Sequence, residues 1–65
     1  MSPRQFEVIA LAAQGLSTEQ AARLMKVNHE TLKSTRRRAI KKLGAANITH
    51  AVAIAYERGM LKEVA

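Results

Sequence analysis

The chain has no cysteine and no tryptophan, a single proline, and only two aromatic residues, Phe6 and Tyr56. Without cysteine, neither a disulfide nor a thiolate metal site can staple the fold, and the composition suits a reducing compartment such as the cytoplasm. No stretch approaches the ~20 consecutive apolar residues of a membrane-spanning helix. The start lacks the basic segment and apolar run of a signal peptide, so no membrane partner is expected. Acids are scarce: five Asp and Glu stand against eleven Lys and Arg, for a formal net charge of +6, and from residue 31 to residue 56 there is none. An excess of this sign favours a polyanionic partner, of which nucleic acid is the commonest. A disordered basic tail is excluded because 48% of the residues are hydrophobic and recur periodically. At 65 residues the chain reads as a single domain, 1–65, small enough to bury only ~60% of its unfolded surface. Helix packing must hold it, with oligomerisation as the available supplement.

What is present is a series of helix starts and stops. Gly15, Gly44 and Gly59 each follow an apolar-periodic stretch, where a left-handed residue ends a helix. Ser2-Pro3-Arg4-Gln5 offers an N-cap serine, proline in the first turn and glutamine at the third helical position, and Ser17-Thr18-Glu19-Gln20 repeats the capping box. Asn28 and Asn47 are the N-caps expected for two further helices. The first helix then runs from about Pro3 to Gln14, with Phe6, Ile9, Ala10 and Ala13 facing inward. The second runs from about Thr18 to Met25, with Ala21, Ala22, Leu24 and Met25 inward and Leu16 stapling its entry against Ala21. The third spans about His29 to Leu43, with Leu32, Ala39 and Leu43 on one face. The fourth runs from about Ile48 to Arg58, with Ile48, Val52, Ala55 and Tyr56 inward. No segment alternates like a strand, so the fold is expected to be all-α.

The second and third helices are joined by only Lys26-Val27-Asn28. A turn this short forces a steep crossing, which needs a small residue at the contact and an apolar one in the turn. Ala22 and Val27 fill those roles, and Leu32 fixes the third helix to the core. Lys26 stands where the turn calls for positive φ, which costs a non-glycine residue ~1–2 kcal/mol. Six of the eleven Lys and Arg crowd onto the third helix within ten positions: Lys33, Arg36, Arg37, Arg38, Lys41 and Lys42. A basic helix braced by a second helix is the arrangement with which a helix-turn-helix enters a DNA groove. Opposite the core face lie Glu30, Lys33, Ser34, Arg37 and Lys41. Lys33 and Arg37 can donate to guanine O6 and N7, and Glu30 can accept from cytosine N4. Glu30 is equally well read as a solvated acid favoured by the helix start.

From end to end the chain resembles the LuxR/GerE-type DNA-binding domain. The residues that carry the likeness are Ser2-Pro3-Arg4 with Glu7-Val8-Ile9, Ala13-Gln14-Gly15-Leu16-Ser17, Ala22-Arg23-Leu24, Thr31-Leu32-Lys33-Ser34, and Lys42-Leu43-Gly44 followed by Asn47. The departures are Gln5 in place of a usual acid, Ala21 and Ala39 in place of Ile, and Thr35 in place of a common His. The resemblance implies a four-helix module and a transcription regulator bound to double-stranded DNA. It also implies that Lys33, Ser34 and Arg37 read bases. Phosphate contact, which sets register without carrying sequence information, is expected for Ser17 and Thr18 at the start of the second helix, and for Thr31, Arg36, Arg38, Lys41 and Lys42. Arg36, nearest the core edge, has Glu7 as an alternative partner.

The outer face of the fourth helix carries His50, Ala53, Ile54 and Glu57, two of them apolar where a solvated helix prefers charge. In the resembled family this helix commonly forms the dimer contact, which implies a weak homodimer reading an inverted repeat. No sensor segment accompanies the module, so the chain is either an isolated output domain or a stand-alone regulator. It would activate by touching RNA polymerase or repress by occlusion, with autorepression slightly favoured, in the nucleoid of a bacterium or on behalf of a phage. Two other readings share these features: a small antagonist that captures a full-length regulator through the fourth helix, and a sigma-factor-like promoter-binding domain. No catalytic constellation is present, no cofactor is expected, and His29 and His50 lack the spacing or partners of a metal site.

Overall fold

The computed structural model describes residues 1–61, which form four helices: α1 Pro3–Ala13, α2 Thr18–Met25, α3 His29–Leu43 and α4 Ile48–Glu57. No strand occurs among the described residues, and the fold is all-α as expected. The helix starts are capped by the residues the sequence singles out. Ser2 Oγ accepts from the Gln5 N–H at 3.2 Å while the Ser2 N–H donates to Gln5 Oε1 at 3.4 Å. Ser17 and Gln20 repeat the exchange at 3.2 and 2.9 Å. Asn28 Oδ1 accepts from the Thr31 N–H at 2.7 Å, and Asn47 Oδ1 from the His50 N–H at 2.9 Å. Caps of this kind contribute about 1 kcal/mol each. They matter here because helices this short are marginal in isolation.

All four helices also end in the same way. At the end of α3, the Gly44 N–H donates to the Lys41 carbonyl at 3.1 Å and the Ala45 N–H reaches back to the Ile40 carbonyl at 3.0 Å. The equivalent pair of bonds closes α1, α2 and α4, with Leu16, Val27 and Met60 in the place of Ala45. This double bond pattern requires a left-handed residue between the helix and the apolar residue that follows it. Gly15, Gly44 and Gly59 supply it for three helices, but α2 uses Lys26, at φ 57° and ψ 43°. Leu16, Val27, Ala45 and Met60 are each half-buried, so every helix end is anchored by an apolar side chain.

The core divides into two clusters. One holds Ile9, Ala39, Leu43, Ala51 and Ala55; the other holds Val8, Ala21, Ala22 and Leu32. Consecutive residues of α1 therefore serve different clusters, and α3 spans both. Five of these nine buried residues are alanines, so the helices approach closely and Ile9 and Leu32 are the largest fully buried side chains.

Three expected core residues lie outside. Phe6 is 38% exposed, Leu24 64% and Tyr56 40%. In α1 the inward direction is taken by Val8 and Ile9, and Phe6 lies to one side of it. In α2 the inward face is Ala21, Ala22 and Met25, and at ~100° per residue Leu24 points well away from it. In α4 the buried line is Ala51 and Ala55, and Tyr56 is turned off that line by the same step. Gln14 and Arg58 cap α1 and α4 instead of belonging to them.

Lys26 sets up a stability test. Replacing it with glycine removes the ~1–2 kcal/mol cost of a left-handed side-chain residue and adds the ~0.5–1 kcal/mol entropic cost of glycine. Lys26→Gly is thus expected to raise stability by up to about 1 kcal/mol, a rise of several degrees in Tm for a domain of this size. Thermal unfolding followed by circular dichroism measures it; a lower Tm would rule out the strained turn.

Candidate nucleic-acid interface

The interface is built by bracing one end of α3. Ala22, at the crossing of α2 and α3, is buried, and Val27 in the connecting turn packs against the cluster of Val8, Ala21, Ala22 and Leu32. Leu32, 1% exposed, seats the first turn of α3 in the same cluster. A hydrogen bond of 3.2 Å between Thr18 Oγ1 and His29 Nε2 joins the start of α2 to the start of α3. Nothing in the residue pattern points to this bond: the two residues stand eleven positions apart, and only the helix crossing brings them together. The Thr18 hydroxyl is therefore engaged with His29, and what α2 can offer an anion is the pair of N–H groups in its first turn that lack intrahelical acceptors.

With Leu32, Ala39 and Leu43 turned inward, Glu30, Lys33, Ser34, Arg37 and Lys41 are all exposed on the opposite side. Thr31, Arg38 and Lys42 are exposed beside them, while Thr35 and Arg36 are half-buried. The Thr35 hydroxyl donates to the Thr31 carbonyl at 2.9 Å, so it is directed at its own helix. Lys41 and Lys42 lie in the last turn, where the negative end of the helix dipole favours cations, and Glu30 lies in the first turn, where it favours acids. Among the described residues no polar or charged side chain is buried, so the charge of α3 stays in water.

Arg36 differs from the rest of the basic run. It lines an open cleft of about 310 Å3 whose other walls come from α1, the start of α2 and the start of α4. Glu7 lines a different groove, with Arg4 and Phe6. Leu16 and Ala21, expected to staple the entry of α2, both line the Arg36 cleft.

On α4, His50, Ala53 and Glu57 are exposed. Ile54 is not on that outer face: it is half-buried and packs against the cluster of Ile9, Ala39 and Leu43. It lies at the edge between the buried line and the solvent face, so its apolarity is explained by the core. The His50 ring is turned toward its own helix start, where Nδ1 accepts the Ala46 N–H at 3.0 Å. Among the described residues no group of three or more His, Cys, Asp or Glu could hold a metal ion, and no helix is long and apolar enough to cross a membrane.

The model of the luxR family of bacterial regulatory proteins matches residues 1–55. The chain belongs to that family. Its members are DNA-binding transcription regulators of the helix-turn-helix type. In this LuxR-family domain, α2 and α3 are the helix-turn-helix pair. A related protein, the transcriptional activator protein BjaR1 of Bradyrhizobium diazoefficiens, is 40% identical over 55 residues. The match covers 85% of this chain and 23% of the relative, so the chain spans about a quarter of the length of the protein it resembles.

Proposed function

We propose that this LuxR-family domain reads a specific sequence in double-stranded DNA by placing the first turns of α3 in the major groove, as half of a two-fold dimer. The observation that carries the reading is the exposed strip of Glu30, Lys33, Ser34 and Arg37, set directly opposite the buried Leu32, Ala39 and Leu43. At 1.5 Å per residue the strip is about 10 Å long, comparable to the ~12 Å width of the major groove. Lys41 lies about 6 Å further along, which favours the phosphate backbone over base edges. On this reading Lys33 and Arg37 donate to guanine, Ser34 bonds to a neighbouring base, and Glu30 accepts from cytosine or turns away the wrong register.

Thr31, Arg36, Arg38, Lys41 and Lys42 contact phosphates on either side, joined by the Ser17–Thr18 start of α2. These contacts supply affinity by releasing counterions and carry no sequence preference. The dimer seam is assigned to the outer face of α4, centred on Ala53 and flanked by His50 and Glu57, with Ile54 at its edge. A two-fold pair would recognise an inverted repeat with half-sites ~34–36 Å apart. The regulator would act in the cytoplasm at the nucleoid, either by occluding a promoter, its own included, or by contacting RNA polymerase. The reading of α3 is the same whether the domain works alone or as the output portion of a larger regulator.

Selection from a random duplex library at near-physiological salt should enrich an inverted repeat. Equal, salt-sensitive binding to every duplex would overturn the reading. At the selected site, Lys33→Ala and Arg37→Ala should each lose ~1–3 kcal/mol and relax preference at one position. Lys42→Ala should weaken binding to all duplexes alike and lower the slope of log K against log salt by about 1. A change of sequence preference in Lys42→Ala would move that residue from phosphate to base.

The dimer assignment is checked separately. Ala53→Glu puts a charge at the centre of the exposed α4 face without touching the core. It should abolish association in sedimentation measurements made on DNA-bound protein while the circular dichroism of the free domain stays unchanged. Undiminished pairing would remove α4 from the seam.

A further inference from the structure

The cleft beside Arg36 shares Ser17, Thr18 and Arg36 with the proposed phosphate contacts, but the rest of its lining has a chemistry that DNA does not use. Its floor is apolar, formed by Val8, Leu16, Ala21, Leu32 and Val52. Its polar uncharged lining residues are Ser17, Thr18 and Thr49. Among the described residues Arg36 is the one charged side chain that lines it, and no acid does. Arg36 is half-buried and so is held against the cleft, unlike the exposed Arg37 and Arg38 beside it. All four helices contribute to the walls, together with Gly15, Leu16 and Ser17 of the α1–α2 connection. Part of the space exists because Ala21, 5% exposed, is small.

We propose that this cleft binds a small organic carboxylate with an apolar body. Charge complementarity selects the class. A neutral apolar molecule would leave Arg36 without a partner at the edge of a partly dry site. An inorganic anion would leave the apolar floor uncovered. A carboxylate is the group that a guanidinium engages with two parallel hydrogen bonds, and the floor takes the hydrocarbon. At about 310 Å3 the cleft lies at the small end of the ~300–1,000 Å3 range of ligand sites, which suits a medium-chain fatty acid or an arylcarboxylate. Arg36 is also assigned a DNA phosphate above, so an occupied cleft would compete for the same guanidinium. That consequence for DNA binding rests on the phosphate assignment; the binding of the carboxylate does not.

The test is a titration of the isotope-labelled chain with octanoate, without DNA, followed by amide chemical shifts. Octanol serves as the uncharged control. Saturable shifts on the order of millimolar octanoate or below, centred on Ala12, Leu16, Ala21 and Val52, are expected. Arg36→Gln should weaken octanoate roughly ten- to hundredfold, the range for loss of a charge-assisted hydrogen bond, and leave octanol unchanged. Ala21→Ile should fill the floor and remove the saturable shifts while the spectrum stays dispersed. If Ala21→Ile fails to fold, the Arg36→Gln comparison still decides. Octanol binding as tightly as octanoate would overturn the proposal, as would shifts confined to Lys33, Arg37 and Lys41, or no saturation. Because no DNA is present, failure here leaves the groove reading intact, and failure of sequence selection leaves this result standing.

Discussion

The seating of Leu32 is the contact on which the rest depends. α3 carries six cations within ten residues, and it packs against each of the other three helices. It is both the main beam of the fold and its most charged element. Burial of Leu32 contributes ~1.5–3 kcal/mol and fixes the rotation of α3 about its axis. Once Leu32, Ala39 and Leu43 point inward, geometry alone sends Glu30, Lys33, Ser34 and Arg37 outward. Mutual repulsion among the cations is weak where they stay hydrated, ~1 kcal/mol or less per close pair in water. No charge is buried to raise that figure. A hydrated row of cations costs the fold little and is most relieved by a polyanion.

The helix ends do the remaining work of setting angles. Each helix starts on a Ser or Asn cap and closes on a left-handed residue followed by a half-buried apolar side chain. The apolar anchor after each stop ties the direction of the next segment to the core, so turn and packing specify the same crossing. This agreement matters in a core built largely from alanines, where side-chain interlocking is limited. Lys26 is the one end that does not follow the glycine rule. It sits in the turn that presents α3, and its backbone strain is opposed by the burial of Val27 and Ala22 on either side.

The local features were legible because each is set by a few adjacent residues: caps, stops, the short α2–α3 turn, and the outward strip of α3 all emerge where the sequence places them. What was not legible are choices between faces that are nearly equally apolar. From Phe6 to Ala13 α1 offers only one polar position, Glu7, so periodicity does not say whether Phe6 or Val8 turns inward. Leu24 and Met25 are neighbours of similar character, and the second wins because it shares a side with Ala21 and Ala22. In α4 the fully buried residues are Ala51 and Ala55: the pattern points to Ala55, but it favours the larger Tyr56 over Ala51. The Thr18–His29 bond and the Arg36 cleft join residues from separate helices and exist only after assembly.

Glu30 shows why charge on α3 has to be read as pattern and not as sum. It is the single acid on α3. In the free domain it gains ~0.3–1 kcal/mol from the helix start, a benefit Asp or a neutral cap residue would largely reproduce. Against a phosphate backbone the same carboxylate is unfavourable everywhere except where a base edge donates to it. A helix shaped only to hold DNA would do better with Ser or Lys in that position. Under the groove reading, an acid one turn before Lys33 and Ser34 lowers affinity for most sequences more than for those with a cytosine N4 amine in reach. Specificity is a difference between affinities, and repulsion from wrong partners raises it as surely as attraction to the right one. On that reading the acid in a basic strip is the residue that most separates a sequence reader from a general polyanion binder, and the exposed cations of the same strip, Lys33 and Arg37, set how much affinity remains once that selection has been made.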